Sequence, residues 1–179
     1  MKKAIFIPAI VILCAIGILF GLTFGLQKIA AANAEAAHLK IMQTLLPGSS
    51  DFILEPYTGE DANIRCVHKA EDFGYVIETV TAGYVGDIRM LIGVNTDGKV
   101  TGLVVREMSE TAGLGLNALN DTDFLAQFLN TTGDAEIGAN VDAITGATVT
   151  SKAIARCVNS AVAYVTGADI DSGATSWGG

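Results

Sequence analysis

From Tyr75 to Met108 the chain reads "YVIETVTAGYVGDIRMLIGVNTDGKVTGLVVREM", and this stretch decides the fold. It holds three runs rich in β-branched and aromatic residues, Tyr75–Thr81, Ile88–Val94 and Val100–Arg106. Each has strand length and is bounded by turn formers. Asp97-Gly98, between the second and third, is the pair a tight hairpin needs, because the backbone there must take positive φ. Gly83 and Gly86 break the first run from the second. Strands joined this closely pair antiparallel, since a parallel pair needs a crossover of a dozen or more residues. The spacing therefore predicts an antiparallel meander inside an α+β domain.

Helical periodicity flanks the meander. "DTDFLAQFLN", Asp121–Asn130, predicts a helix capped by Asp121 or Thr122, with Phe124, Leu125 and Phe128 toward the core. From Ser151 to about Val165, the residues Ile154, Val158, Ala161, Val162 and Val165 form one apolar stripe, while Lys152, Arg156 and Asn159 face away. Thr150 or Ser151 is the expected cap. Upstream, Leu39, Met42, Leu45 and Leu46 recur at helical spacing over Asn33–Leu46, and "PGSS" stops that helix.

The N-terminus is of another kind. After Lys2 and Lys3 an uncharged, mostly apolar segment runs from Ala4 to Leu26, twenty-three residues closed by Gln27 and Lys28. About 20 apolar residues in a helix match a hydrocarbon core roughly 30 Å thick. A cleavable signal sequence, with an Ala-x-Ala site at Ala32–Ala34, has an apolar region of only about 7–15 residues. The segment is thus expected to be an uncleaved single-pass anchor in the cell membrane. Lys2 and Lys3 would hold the N-terminus in the cytoplasm and leave the main domain extracytoplasmic. The expected organisation is anchor 1–28, juxtamembrane helix and linker 29–49, folded domain 50–167 and C-terminal tail 168–179.

Charge narrows the function. Beyond Lys3, nine basic residues face nineteen acidic ones, a net of −10. Such a surface repels phosphate backbones, so no nucleic-acid partner is expected. Cys66 and Cys157 are the thiols outside the anchor, able to pair or to be buried free. His38 and His68 have no ligand-like neighbours in sequence, and no metal site or catalytic constellation is expected.

One pattern occurs twice: Asp, two free positions, Ser or Thr, then Gly-Ala-Thr. It appears as "DAITGAT", Asp142–Thr148, and as "DIDSGAT", Asp169–Thr175. The residues downstream of each copy set them apart. Thr148 precedes the long helix, whose first N–H groups are free and whose dipole is positive at that end, an arrangement that favours an anion. Thr175 precedes "SWGG" and no helix. By itself this context supports either a helix-capping threonine or an anion-binding turn.

"DAITGATVTS" resembles the flavinylation motif of FMN-binding domains, in which the final Thr carries FMN through a phosphoester. "ETAGLG", Glu110–Gly115, resembles that family's second signature, with Ala112 where Pro is usual. The run from "GYV" through "DGKVTGLVV" keeps the family's order. The resemblance covers essentially the whole chain and, with one N-terminal anchor, extends to G subunits of Rnf electron-transport complexes. It implies covalent FMN on Thr148, with Thr145, Gly146 and Ala147 around the phosphate. Asp142 would serve recognition, or orient the turn by bonding backbone N–H groups two residues on. Glu110, Thr111, Leu114 and Gly115 would line the isoalloxazine. "GLGLNA" also fits a dinucleotide fingerprint, but it lacks the strand-to-helix turn that such a motif requires.

The resemblance further implies an electron-relay subunit, not catalytic alone, in a ferredoxin:NAD oxidoreductase coupled to Na⁺ or H⁺ transport. Its partners would be the other membrane subunits, and a flavin transferase for maturation. Two alternatives stay open. One is the C subunit of a Na⁺-translocating NADH:quinone reductase; the other is a flavin-free membrane-tethered scaffold.

Overall fold

The computed structural model describes residues 27–108 and 121–168. The chain divides into two compact units, Met1–Ile41 and Met42–Gly179. Helix α1 covers 27–45 of the described residues, including the six before Asn33, where the periodicity predicts its start. Its side chains up to Ile41 are mostly exposed, Leu39 among them, whereas Met42, Leu45 and Leu46 are buried. Among the described residues no helix is long and apolar enough to cross a membrane. The expected anchor, Ala4–Leu26, lies outside them.

The second unit is built on a five-stranded antiparallel meander in simple sequence order: β1 Ile53–Glu55, β2 Ile64–Ala70, β3 Gly74–Ala82, β4 Asp87–Asn95 and β5 Val100–Met108. The three predicted runs are β3, β4 and β5. β3 and β4 pair without a break from Gly74↔Asn95 to Ala82↔Asp87. At the Asp97-Gly98 turn, Gly98 takes φ +75° and its N–H donates to Asn95 O at 3.0 Å. The Asn95 side-chain Oδ1 accepts from Asp97 N (3.1 Å) and Lys99 N (2.8 Å), holding the turn closed.

β1 and β2 extend the sheet beyond what the sequence suggested. In β2 the register shifts between Ile64 and Cys66, which leaves the buried Ile64 and Val67 three apart rather than two; buried Ala70, after regular pairing, lies on the opposite face from Val67. A bulge of that kind erases the alternation by which a strand is recognised. β1 is only three residues long and carries exposed Ile53 and Leu54.

Both faces of the central strands are covered, so β4 reads as a nearly continuous apolar run. On one face Val67, Ile77, Met90, Ile92 and Val94 form a core with Phe124 and Phe128 and with Ile154, Val158, Ala161 and Val162. The other face bears a glycine pair, Gly93 opposite Gly102 across β4 and β5. There the last turn of α1 lies close. A Cβ added at Gly93 would sit 2.4 Å from the Leu45 carbonyl oxygen, and one at Gly102 would sit 3.1 Å from Leu45 Cδ2. Thr101 Oγ1 donates to that same carbonyl at 2.5 Å.

Helix α2, Thr122–Ala126, begins as predicted: Asp121 Oδ1 accepts from Asp123 N and Phe124 N at 3.1 and 3.0 Å. Phe124 and Phe128 pack edge to face at 5.3 Å between centroids, and Leu125 is half-buried. Helix α3, Thr148–Thr166, ends on left-handed Gly167, whose N–H donates to Ala163 O. Two expectations for α3 are corrected. It starts at Thr148, not Ser151, so neither Thr150 nor Ser151 caps it; both are buried. Nor does Asn159 face away: its amide accepts from Ala135 N (3.1 Å) and donates to Ala135 O (2.9 Å), pinning the preceding loop.

The two thiols are free. Cys157 is buried on the core-facing side of α3. Cys66 pairs in register with Glu78 and donates to its Oε2 at 3.4 Å. Thr79, the neighbour of Glu78 on β3, faces Cys157, so consecutive residues place the thiols on opposite faces of the sheet.

Candidate functional site

The turn Asp142–Ala147 leads from the loop after α2 into α3. Gly146 takes φ +79°, a conformation that suits a residue without Cβ and lets the chain reverse into the helix. Ala147 N–H donates to Ile144 O at 2.9 Å, closing the turn. Ala147 is itself the N-cap, and no side chain caps the helix there. An N-cap side chain would accept from one of the first free amides; alanine cannot. The first turn of α3 also contains no acidic residue to offset the positive end of the helix dipole. A nineteen-residue helix therefore begins with its N–H groups and partial positive charge open to an incoming anion.

Thr148 stands at the first helical position and is exposed, as are Asp142, Thr145 and Gly146. Ala147 is buried and contributes main chain rather than surface. The Asp142 carboxylate is exposed, and the amide two residues on, that of Ile144, does not donate to it. Ile144 N–H goes to Ser151 Oγ at 3.2 Å instead, which removes the turn-orienting role for the Asp142 side chain. The backbone of Asp142 is held differently: its N–H donates to Gln127 Oε1, at the C-cap of α2, at 2.8 Å. The structure thus brings Asp142, Thr145, Gly146, Ala147 and Thr148 together. Glu110, Thr111, Leu114 and Gly115 lie outside the described residues, as does the second copy with Thr175.

Ser151 and Gln127 escaped the sequence reading. Ser151 is fully buried, in line with Ile154, Ala155 and Val158 on the core side of α3. A serine inside an apolar stripe needs a hydrogen-bond partner, and that was the available signal. Gln127 carried none, since its partner is fifteen residues away. His68, which has no ligand-like neighbour in the sequence, has its Nε2 3.7 Å from Cys66 Sγ on β2. Burial, together with the adjacent Glu78 carboxylate, pushes the Cys66 thiol up to about 11, so it stays protonated at neutral pH.

Comparison with known proteins adds three relatives and a family. Residues 83–163 match the family model described as an FMN-binding domain. Over 139 residues the chain is 37% identical to the G subunit of the ion-translocating oxidoreductase complex of Methanosarcina acetivorans, covering 69% of this chain and 72% of that one. It is 40% identical over 98 residues to the G subunit of the proton-translocating ferredoxin:NAD(+) oxidoreductase complex of Clostridium ljungdahlii, covering 51% and 53%. The G subunit of the Na(+)-translocating ferredoxin:NAD(+) oxidoreductase complex of Acetobacterium woodii is 34% identical over 119 residues, covering 62% and 54%. The chain thus spans about half the length of the last two relatives.

Proposed function

This chain belongs to the family of ion-translocating oxidoreductase complex G subunits, and on that premise we propose that it is a membrane-anchored flavoprotein relaying electrons through FMN esterified to Thr148. The observation that carries the reading is the exposed Thr148 hydroxyl at the uncapped start of α3, within the residues that match the FMN-binding domain. The residues present suit such a group. Thr145 and Gly146 are exposed beside Thr148, and free first-turn amides are the usual partners of a phosphate. An anion at a helix N-terminus gains about 0.3–1 kcal/mol when exposed, and up to about 2 kcal/mol when partly buried. When bound, the flavin supplies the redox chemistry, and the protein supplies its position and surroundings.

The Thr148 hydroxyl is a weak nucleophile at its own pKa, and no general base stands beside it among the described residues. A separate flavin transferase would therefore activate it. The threonine oxygen would bond to the FMN-side phosphorus of FAD as the bond to the AMP phosphate breaks. AMP would leave, and the hydroxyl proton would pass to a base of the transferase. Asp142, exposed and free of a structural duty for its side chain, would serve recognition by that enzyme. Glu110, Thr111, Leu114 and Gly115 would line the isoalloxazine. The Ala4–Leu26 segment would span the membrane once, N-terminus inside, and present the acidic domain to the other subunits on the far side.

The test is co-expression with a flavin transferase followed by denaturing electrophoresis. Flavin fluorescence should migrate with the wild-type band and vanish in Thr148→Ala. A colourless wild-type band from the native host would end the proposal.

A further inference from the structure

We propose that Ser151 and Gln127 are positioning residues for the flavin on Thr148, fixing the Asp142–Ala147 turn in one shape before anything is attached; this rests on the attachment reading above. Ser151 works from inside the fold. Its side chain is fully buried, and its Oγ accepts from Ile144 N–H at 3.2 Å while donating to Ala147 O at 3.0 Å. That carbonyl also accepts the Ser151 N–H at 2.9 Å. Back-bonding of a serine to the carbonyl four residues earlier slightly destabilises a helix by itself. Here the same hydroxyl reaches out of the helix to hold a loop amide that would otherwise have no acceptor.

Gln127 works from the other helix. Its Oε1 accepts from Asp142 N–H at 2.8 Å, so the start of the turn is tied to α2 and the later part to α3. The inner edge of the turn is thereby occupied by side-chain bonds. Its outer edge, formed by Asp142, Ala143, Thr145, Gly146 and Thr148, is exposed. The Ser151 hydroxyl, inside the first turn and a half of α3, is directed to the loop and leaves the first-turn amides uncapped. An ester on Thr148 then meets those amides with the turn already ordered, which is how preorganisation strengthens an interaction. Without the two side chains the turn would sample other shapes and the attached group would swing with it.

The experiment uses the full chain loaded with FMN by co-expression, compared across Ser151→Ala, Gln127→Leu, Gln127→Glu and Ser160→Ala. Ser160 is a second buried α3 serine whose Oγ accepts from Asn63 Nδ2 at 3.3 Å, away from the turn, so its loss reports general destabilisation. Amide exchange across Asp142–Ala147 should quicken roughly two- to tenfold in Ser151→Ala and Gln127→Leu, the factor expected for one lost hydrogen bond. The phosphorus NMR line of the ester should shift and broaden in the same two variants. Gln127→Glu, which keeps the acceptor, should restore wild-type exchange at Asp142, and Ser160→Ala should leave both signals alone. If Ser151→Ala does not fold, Ser151→Cys and Gln127→Leu carry the comparison.

Wild-type values in Ser151→Ala and Gln127→Leu would overturn the proposal, as would equal changes in Ser160→Ala. A wild-type protein without protein-linked phosphorus would sink the attachment reading and this proposal with it. A wild-type signal that the variants leave unmoved would sink this proposal alone.

Discussion

Replacing Gly93 with alanine should loosen the contact between the sheet and the end of α1. The added Cβ would lie 2.4 Å from the Leu45 carbonyl oxygen and 2.9 Å from the carbonyl carbon, both backbone atoms. Ordinary carbon–oxygen contact needs about 0.8 Å more, and forcing an extra methyl into a packed site typically costs about 1–3 kcal/mol. If the helix end yields instead, Met42, Leu45 and Leu46 lose burial that is now nearly complete, at about 1.5–3 kcal/mol for each side chain fully exposed. We expect partial yielding and a loss of about 2–4 kcal/mol. At this chain length roughly 2–4 °C of Tm accompanies each kcal/mol, which makes the shift easy to resolve in a thermal melt. Gly102→Ala should cost less, because its nearest atom is the flexible Leu45 Cδ2 at 3.1 Å. In a chain lacking residues 1–48, Gly93→Ala should become nearly neutral. A Gly93→Ala protein as stable as wild type, or a Gly102→Ala protein that is the less stable of the two, would refute the packing argument. So would an undiminished penalty in the truncated chain.

Thr175→Ala should leave the flavin fluorescence that Thr148→Ala abolishes; its loss on removal of Thr175 would move the attachment to the second copy of the motif. Asp121→Ala removes a side chain that accepts two amide hydrogens at the start of α2, and should lower stability by about 1 kcal/mol, within a range of roughly 0.5–2, read as a lower urea midpoint. Burial lifts the Cys157 thiol from 9.0 to about 11. Because the folded value lies above the unfolded one, the protonated thiol favours the folded state fully below pH 9, and that contribution disappears as pH rises through 11, by about 2–3 kcal/mol in all. Urea midpoints measured from pH 8 to 11 should therefore fall more steeply in wild type than in Cys157→Ala; parallel profiles would contradict the assignment.

The meander was legible because β3 to β5 carry their own punctuation. Gly98 supplies the positive φ that the turn after β4 needs, and Gly83 and Gly86 bracket the other hairpin. β2 was hidden by its bulge, which sets the buried Ile64 and Val67 three apart, and by burial of Ala70 on the other face, so that no alternation survives. The start of α3 was misplaced because capping preferences point to Thr150 or Ser151, whereas the helix begins on an alanine that cannot cap. That departure coincides with the candidate site. Asp121 obeyed the rule, and nothing in the sequence suggests a ligand there. For the site itself, the contiguous Asp142–Thr148 motif was visible in the linear chain. The bonds that shape it come from Gln127 and Ser151, and only the folded chain brings them to it.

The separation of Cys66 and Cys157 by the thickness of a β-sheet bears on where this molecule can be assembled. No intramolecular bridge between the two is within reach, so the sheet and α3 hold their arrangement without a sulfur bond between them. A domain designed to pass electrons onward keeps none of them in a reversible sulfur bond of its own. As far as Cys66 and Cys157 are concerned, the fold is indifferent to the redox state of its surroundings.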